Sequence, residues 1–238
     1  MRNLCLILFL VFSAPVLGGD MGKYRWDLFV KCWQDEVIKN ILSKEQVDTP
    51  EEQYVKDHLK ITSEPAKDVD IAQLEKRFNL KFPPSYLSLL KVTNGLVVIG
   101  MDAFDGKLLA SDKVAYFKDL YPDLYKIEIK NKTYNSDSEY FVYGKGQNTL
   151  LTRWNYFDTA IVISSFADSA LYMLNPKVVD ANGEWEAWIL SPEQGLIRYR
   201  TFTDLLRAAA YQSTKMPEHS FLFDEEELIN SCAKYLTK

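Results

Sequence analysis

Two glutamates in the C-terminal third of the chain have a spacing that could support hydrolysis. Glu184 and Glu186 lie in GEWEAWIL, residues 183–190, whose alternation is typical of a strand. Alternation places both carboxylates on one face, about 7 Å apart, with Trp185 on the opposite face. Paired carboxylates can act as acid and base in glycoside hydrolysis. A solvated strand face is the other interpretation, and we favour it because no nearby residue indicates a sugar cleft.

Other residues that could carry chemistry are isolated. His58 and His219 have no ligand spacing with each other or with the cysteines, so we expect no metal site. Residues 144–146, GKG, lack the strand–loop–helix context of a phosphate site, and the loop with Asp102 and Asp105 has too few ligands for an EF-hand. The chain contains no G-x-S-x-G elbow. The sequence therefore predicts a non-catalytic protein without a cofactor.

The cysteines leave two arrangements open. Cys32 and Cys232 are the pair that remains after Cys5, which lies inside the N-terminal apolar run. An even pair in an oxidising compartment favours a disulfide. However, Cys232 lies on the apolar face of its predicted helix, whereas Cys32 lies off the apolar stripe of its own. Two free thiols are therefore the alternative to a bridge.

The first 18 residues predict export. Arg2 supplies a positive charge, residues 4–12 form an apolar run, and residues 16–18 form a small-residue cleavage pattern. We expect a signal peptide at residues 1–18 and a periplasmic or secreted protein, with a cytoplasmic protein as the alternative. No later segment is apolar for long enough to span a bilayer, so we expect no integral membrane association after cleavage.

The charge balance disfavours nucleic acid as a partner. The chain has 28 Lys and Arg against 33 Asp and Glu, a formal net charge of -5. Neutralising phosphates needs clustered positive charge, and the basic residues here do not cluster. A negative field favours the approach of a basic protein, although modest negative charge also serves solubility alone.

Residues 20–60 predict an N-terminal helical extension. Its apolar stripe at helical spacing consists of Trp26, Phe29, Val30, Trp33, Val37 and Ile41. Thr49, Pro50 and Glu52 form a capping box that begins a second helix. The polar face of the stripe helix carries charges of both signs, unlike that of a membrane-surface helix. We therefore expect the extension to pack on the domain that follows it.

Residues 71–95, IAQLEKRFNLKFPPSYLSLLKVTNG, predict two helices joined by a proline corner. Asn79 can take the left-handed conformation that ends the first helix. Pro83 and Pro84 fix two φ angles, and Pro84 can open the second helix, where no N–H is needed. The pair at residues 94–95, Asn-Gly, ends it by tolerating positive φ.

This order of elements resembles the opening of the SUKH superfamily, which includes Smi/Knr cell-wall assembly regulators and bacterial immunity proteins. The matching residues are Leu74, Glu75, Phe82, Pro83, Asn94 and Gly95, with Phe82 where the family usually has Leu. Downstream, residues 160–177, the strand with Trp185, and residues 198–209 resemble the family's central strands, tryptophan strand and closing strand–helix pair. The resemblance covers residues 61–212 and implies an α+β domain, with a mostly antiparallel mixed sheet flanked by helices.

The strand and helix signals agree with that fold class. Strands are predicted at residues 96–99, 107–110, 140–143, 160–164, 170–174, 184–190 and 196–200. Ser111 or Asp112 can cap a helix that carries Phe117, and Thr201 can cap a later helix. A C-terminal helical segment, residues 213–238, completes the chain, with its last helix at residues 225–236.

A cluster of aromatic residues gives the strongest indication of a binding function. It consists of Tyr140, Phe141, Tyr143, Trp154, Tyr156 and Phe157. Such side chains anchor protein interfaces, although strand alternation would place half of them in the core. The resemblance implies an immunity-type protein that neutralises a toxin by binding it. We expect these aromatics, Glu184 and Glu186 to contact a basic toxin.

The predicted export conflicts with immunity against a nuclease toxin. Such a toxin acts in the cytosol, so an exported antidote would protect the wrong compartment. An exported envelope or cell-wall-associated scaffold is therefore the second hypothesis. A carbohydrate-active hydrolase that uses Glu184 and Glu186 is the third.

Overall fold

The chain is described by a computed structural model over six ranges: residues 24–100, 104–130, 135–166, 170–191, 193–215 and 231–236. The predicted signal peptide lies outside these ranges. So does the predicted start of the last helix, because residues 216–230 are not described.

The N-terminal extension forms two helices that pack on the rest of the molecule. Helix α1 spans Trp26–Ser43, and every residue of its predicted stripe is buried. The indole N–H of Trp33 donates to Ser213 Oγ at 2.6 Å, so the helix is fixed across the core. Helix α2 spans Pro50–His58, and the Thr49 hydroxyl accepts from the Glu52 N–H as predicted.

The proline corner joins helices α3, Asp68–Phe78, and α4, Pro84–Leu90. Asn79 ends α3 with φ at +52°, in the left-handed region that asparagine tolerates. The Glu75 carboxylate folds back to accept from Lys81 Nζ at 2.8 Å and from the Phe82 N–H at 3.3 Å. The ring of Phe82 then stacks on Trp185, with centroids 5.2 Å apart. Phe82, at the proline corner, thus contacts the strand that carries Trp185 within the core.

The second helix ends at Leu90, earlier than predicted, so the Asn-Gly pair does not end it but lies in the loop that leads to the next strand. Gly95 has φ at +116°, which L side chains rarely adopt. The Asn94 side-chain oxygen accepts from the Ser111 N–H at 2.7 Å and so fixes the loop that follows the next two strands.

Every described strand pairing is antiparallel. Strands β1, Leu96–Gly100, and β2, Phe104–Leu108, form a hairpin. Five further strands form a meander in sequence order: β3 Ala115–Tyr116, β4 Ile161–Val162, β5 Leu171–Val179, β6 Trp185–Ser191 and β7 Gly195–Tyr199. With the helices around them, these strands give the α+β class that the sequence predicts.

Both faces of the five-stranded sheet are covered. Trp185, Ala187 and Ile189 belong to the main core beneath the helices. Trp188 and Leu190, on the other face of β6, belong to a second apolar cluster with residues of the 117–157 segment. The expectation of a solvated face on this strand was therefore wrong, because a long-range segment covers it.

The segment that covers the second face is mostly irregular and helical. It contains α5 Phe117–Leu120, α6 Pro122–Glu128, α7 Asp137–Tyr140 and 3₁₀ turns at Gly144–Gly146 and Trp154–Tyr156. The predicted strand at residues 140–143 was wrong. Ser136 and Glu139 form a capping box that begins α7.

The predicted helix start at Ser111 or Asp112 was also wrong. Residues Ala115–Tyr116 instead form β3, which pairs with β4, so the helix with Phe117 begins only at that residue. Pairing with a strand more than 40 residues away outweighs the local cap signal.

The C-terminal part of the described chain returns to α1. Helix α8 spans Phe202–Lys215, and the Thr201 hydroxyl accepts from the Asp204 N–H at its start. Cys232–Leu236 forms a 3₁₀ helix, where an α-helix was expected. Cys32 of α1 and Cys232 are joined in a disulfide, which selects one of the two arrangements that the sequence left open.

Within the described ranges, no helix combines the length and apolar character that a transmembrane span requires.

Candidate functional site

A pocket of about 650 Å³ opens where the ends of several elements meet. Tyr24 precedes α1, Phe141 and Tyr143 follow α7, and Leu236 ends the 3₁₀ helix. The end of β5 and the turn to β6 contribute Val178, Val179, Asp180, Asn182 and Glu184. The end of β7 and the first turns of α8 contribute Arg200, Thr201, Thr203, Asp204 and Arg207. Its size is that of a typical ligand or peptide side-chain pocket.

Glu184 lines this pocket and is buried. Its Oε1 accepts from the Tyr24 hydroxyl at 2.8 Å and from the Ser85 N–H at 2.9 Å. The Ser85 hydroxyl also donates to its carboxylate. Glu184 therefore joins the N-terminus of α4 to the residues just before α1, and its predicted exposure was wrong.

Glu186 lies deeper, with none of its surface exposed. Its carboxylate accepts from the hydroxyls of Tyr140 and Tyr143, both at 2.9 Å, from Asn175 Nδ2 at 2.8 Å and from the Trp188 indole at 2.7 Å. These four donors satisfy a charge that would otherwise be unstable in the interior. Glu186 cannot be a surface contact, and the prediction that it is one was wrong.

Arg198 provides the positive charge of this cluster. Its guanidinium carbon lies 4.8 Å from the centroid of the Tyr140 ring, and it donates to the carbonyls of Leu151 and Asn148. Burial lowers the pKa of Arg198, and burial together with the nearby Glu186 raises the pKa of Tyr140 well above the usual 10. The phenol is therefore a permanent donor to Glu186.

The geometry does not support a glycosidase pair. A substrate would need access to both carboxylates. Glu186 is enclosed by its four donors, and Glu184 is bound to α4 and Tyr24. Among the described residues, no group of three or more His, Cys, Asp or Glu side chains could hold a metal ion.

The six clustered aromatics separate into two groups. Tyr140 and Phe157 are fully buried, so the prediction that they lie on a binding surface was wrong. Phe141, Tyr143, Trp154 and Tyr156 are half-buried. Only Phe141 and Tyr143 of these four line the pocket. Their role in partner binding stays a prediction.

Sequence reasoning did not single out the two arginines of the pocket. Arg200 is exposed, with its guanidinium carbon 4.5 Å from the centroid of the Tyr143 ring. Arg207 is 6% exposed and lies 3.6 Å from Asp204. Both lie in residues 198–209, RYRTFTDLLRAA, which the sequence analysis used only for its strand and helix pattern, and no local motif marks them. Only the meeting of β7 and α8 with the residues after α7 brings them to one site.

Comparison with known families agrees with this architecture. A model of the SMI1 / KNR4 family (SUKH-1) matches residues 65–208, which is more than half of the chain. The chain belongs to this SUKH family. The matched region begins just before α3 and ends inside α8, so it contains the proline corner, all seven described strands and the second-face segment. A search of curated proteins found no match.

The pocket of this SUKH protein combines residues from inside and outside the matched region. Tyr24 and Leu236 lie outside residues 65–208, on the two segments whose helices the disulfide joins. The extensions therefore contribute to the site as well as to the core.

Proposed function

We propose that this protein is a non-catalytic binding module of the immunity type, which neutralises a toxin by binding it. Its SUKH family membership supports a binding role over a catalytic one. The observation that carries the proposal is the open pocket beside half-buried Phe141 and Tyr143. A rim of this kind supplies the large, rigid side chains that dominate protein interfaces.

Electrostatics supports a basic protein as the partner. The net charge of -5 attracts a positively charged protein over long range and repels nucleic acid. Occupying the substrate path of a basic toxin is one way in which such complementarity blocks activity.

The experiment is capture of a partner from the native cells, followed by a neutralisation assay with that partner. We expect the captured protein to arrest growth when expressed alone and to be harmless when this chain is present. Phe141→Asp should remove both capture and protection, because a charge at the pocket rim opposes burial. Leu42→Asp is the matched control, since Leu42 is exposed on α1 and does not line the pocket. A partner whose expression leaves growth unaffected would contradict the immunity proposal.

An exported envelope or cell-wall scaffold is the second candidate, and the Cys32–Cys232 disulfide favours it. Disulfides persist in oxidising compartments and are rare in the cytosol. If the chain is exported, fusion of residues 1–20 to a reporter will carry the reporter out of the cytosol. Retention of that reporter, together with growth protection by the intact chain, would favour cytosolic immunity.

A further inference from the structure

The 3₁₀ helix at Cys232–Leu236 contributes to the pocket wall from outside the family region. Leu236 lines the pocket, and its side chain is 5% exposed. The helix lies against α1 and α8, with Cys232 and Ala233 buried beside it. The position of this short helix therefore decides whether the pocket is complete.

The packing of the 3₁₀ helix gives it little support by itself. It has five residues, of which Cys232, Ala233 and Leu236 are buried. Fixing the backbone of five residues opposes docking, and side chains as small as alanine and cysteine bury little apolar area in return. The bond from Cys32 to Cys232 supplies a further restraint, because it ties the helix covalently to α1.

Helix α1 has contacts that do not depend on this bond. Its apolar stripe is buried in the main core, and the Trp33 indole donates to Ser213 Oγ at 2.6 Å. Just before the helix, the Tyr24 hydroxyl donates to Glu184 at 2.8 Å. Loss of the bond should therefore leave α1 docked and release only the 3₁₀ helix.

The two sulfurs differ in their access to solvent. Cys32 is half-buried, whereas Cys232 is 3% exposed. A thiolate of glutathione can attack Cys32 Sγ, so that the S–S bond breaks and Cys232 leaves as a thiolate that takes a proton. A second glutathione thiolate then attacks the glutathione sulfur of the mixed disulfide and releases Cys32. The bridge gains two electrons and two protons, and two glutathione molecules become glutathione disulfide.

We propose that the Cys32–Cys232 disulfide is a redox switch that controls the pocket. In the oxidised chain the 3₁₀ helix completes the wall, and in the reduced chain it leaves α1 and α8 and takes Leu236 with it. Disulfides persist in oxidising compartments, whereas glutathione keeps cytosolic thiols reduced. The binding site is thus complete only where the bridge can form, whichever partner the pocket accepts.

The test is alkylation of the full chain by iodoacetamide before and after reduction with millimolar glutathione, with mass spectrometry to identify the modified peptide. In the reduced, folded chain we expect Cys232 to react within about threefold of its rate in urea, because a released segment is accessible. A Cys232 thiol that stays buried in a docked helix would react at least about 100-fold more slowly. The circular dichroism spectrum should stay that of a folded protein, since both cores remain.

Cys32→Ser provides the permanently open form. Cys232 should react rapidly in this variant without any reductant, and glutathione should change nothing further. Lys31→Ser is the matched control, because it replaces the exposed neighbour of Cys32 on α1 and leaves the bridge intact. Cys232 should be unreactive in that variant until glutathione is added.

Three results would overturn the proposal. Slow alkylation of Cys232 in the reduced, folded chain would show that the helix stays docked without the bond. Loss of the folded spectrum on reduction would show that the bond supports the whole fold instead of one segment. A bridge that millimolar glutathione leaves intact would show that it is not a switch.

The alkylation measurement needs no partner, so its outcome is separate from that of the immunity proposal. A partner captured as described above should bind the oxidised chain at least about tenfold more tightly than the reduced chain, because the reduced pocket lacks part of its apolar wall. Equal affinities would overturn the redox control of the pocket and leave the immunity proposal standing.

Discussion

Glu186 is an acidic residue whose burial is stable only because four side-chain donors and a nearby guanidinium surround it. We expect Glu186→Gln to lower the free energy of unfolding by about 3 kcal/mol. The amide keeps the shape, but its NH₂ group faces donors, and Arg198 loses its buried counter-charge. Urea unfolding monitored by circular dichroism measures the change.

The control for this prediction is Glu193→Gln, which makes the same substitution at an exposed glutamate. It should change stability by less than about 0.5 kcal/mol. Equal effects of the two substitutions would show that the buried cluster contributes no more than a surface charge.

At the scale of elements, two turns of the five-stranded sheet contain a glycine with positive φ, and they differ in the space available for a Cβ atom. Gly183 and Gly195 both have φ at +81°, so alanine is strained at either position. At Gly183 the added Cβ would meet Pro84 at an ordinary 3.9 Å, whereas at Gly195 it would lie 2.5 Å from the Thr149 carbonyl oxygen. We expect Gly183→Ala to cost about 1 kcal/mol and Gly195→Ala about 3 kcal/mol, measured by urea unfolding. Similar losses would contradict the close approach of the 149 loop.

The disulfide is the second test at this scale, because it joins α1 to the terminal 3₁₀ helix across 200 positions of sequence. Its removal by Cys32→Ser should lower stability by about 2–5 kcal/mol. Cys232→Ser and the double variant should show nearly the same loss, since each removes the same bond. Denaturant unfolding with and without a reducing agent measures this. A double variant with the summed loss of both single variants would contradict the bridge.

For the whole molecule, the dependence of stability on pH above 10 tests whether the buried tyrosines are as closely packed as the structure shows. Burial raises the pKa of Tyr86, Tyr140, Tyr143, Tyr172 and Tyr199 above the usual 10. Above pH 10 the unfolded chain releases these phenolic protons while the folded chain retains them. The folded state then binds more protons, so stability should fall by about 1.4 kcal/mol per pH unit for each such phenol. Below pH 10 both states are protonated, and these groups give no pH dependence.

Tyr86→Phe isolates one of these phenols. The Tyr86 hydroxyl is buried and has no partner among the described residues, so its removal should leave stability at neutral pH unchanged or slightly higher. The alkaline slope should decrease by about 1.4 kcal/mol per pH unit. Urea midpoints on either side of pH 10 give this slope, and an unchanged slope would show that Tyr86 ionises in the folded state.

The sequence by itself determined the features that depend on neighbours within a few positions. The Thr49 and Thr201 caps, the left-handed Asn79 and the stripe of α1 follow from local hydrogen bonding and helical periodicity. The order of the corner, strands and closing helix was also sufficient to indicate the SUKH family.

Only the tertiary structure decided what covers the second face of the sheet and which residues meet at the pocket. The 117–157 segment converts the face of Glu186 from a solvated surface into a buried polar cluster. The pairing of Cys32 with Cys232, and the meeting of Arg200 with Tyr143, likewise depend on contacts between distant segments. Periodicity indicates which side of a helix or strand a residue occupies. It does not indicate which segment packs against that side, because the packing depends on the free energy of the whole chain.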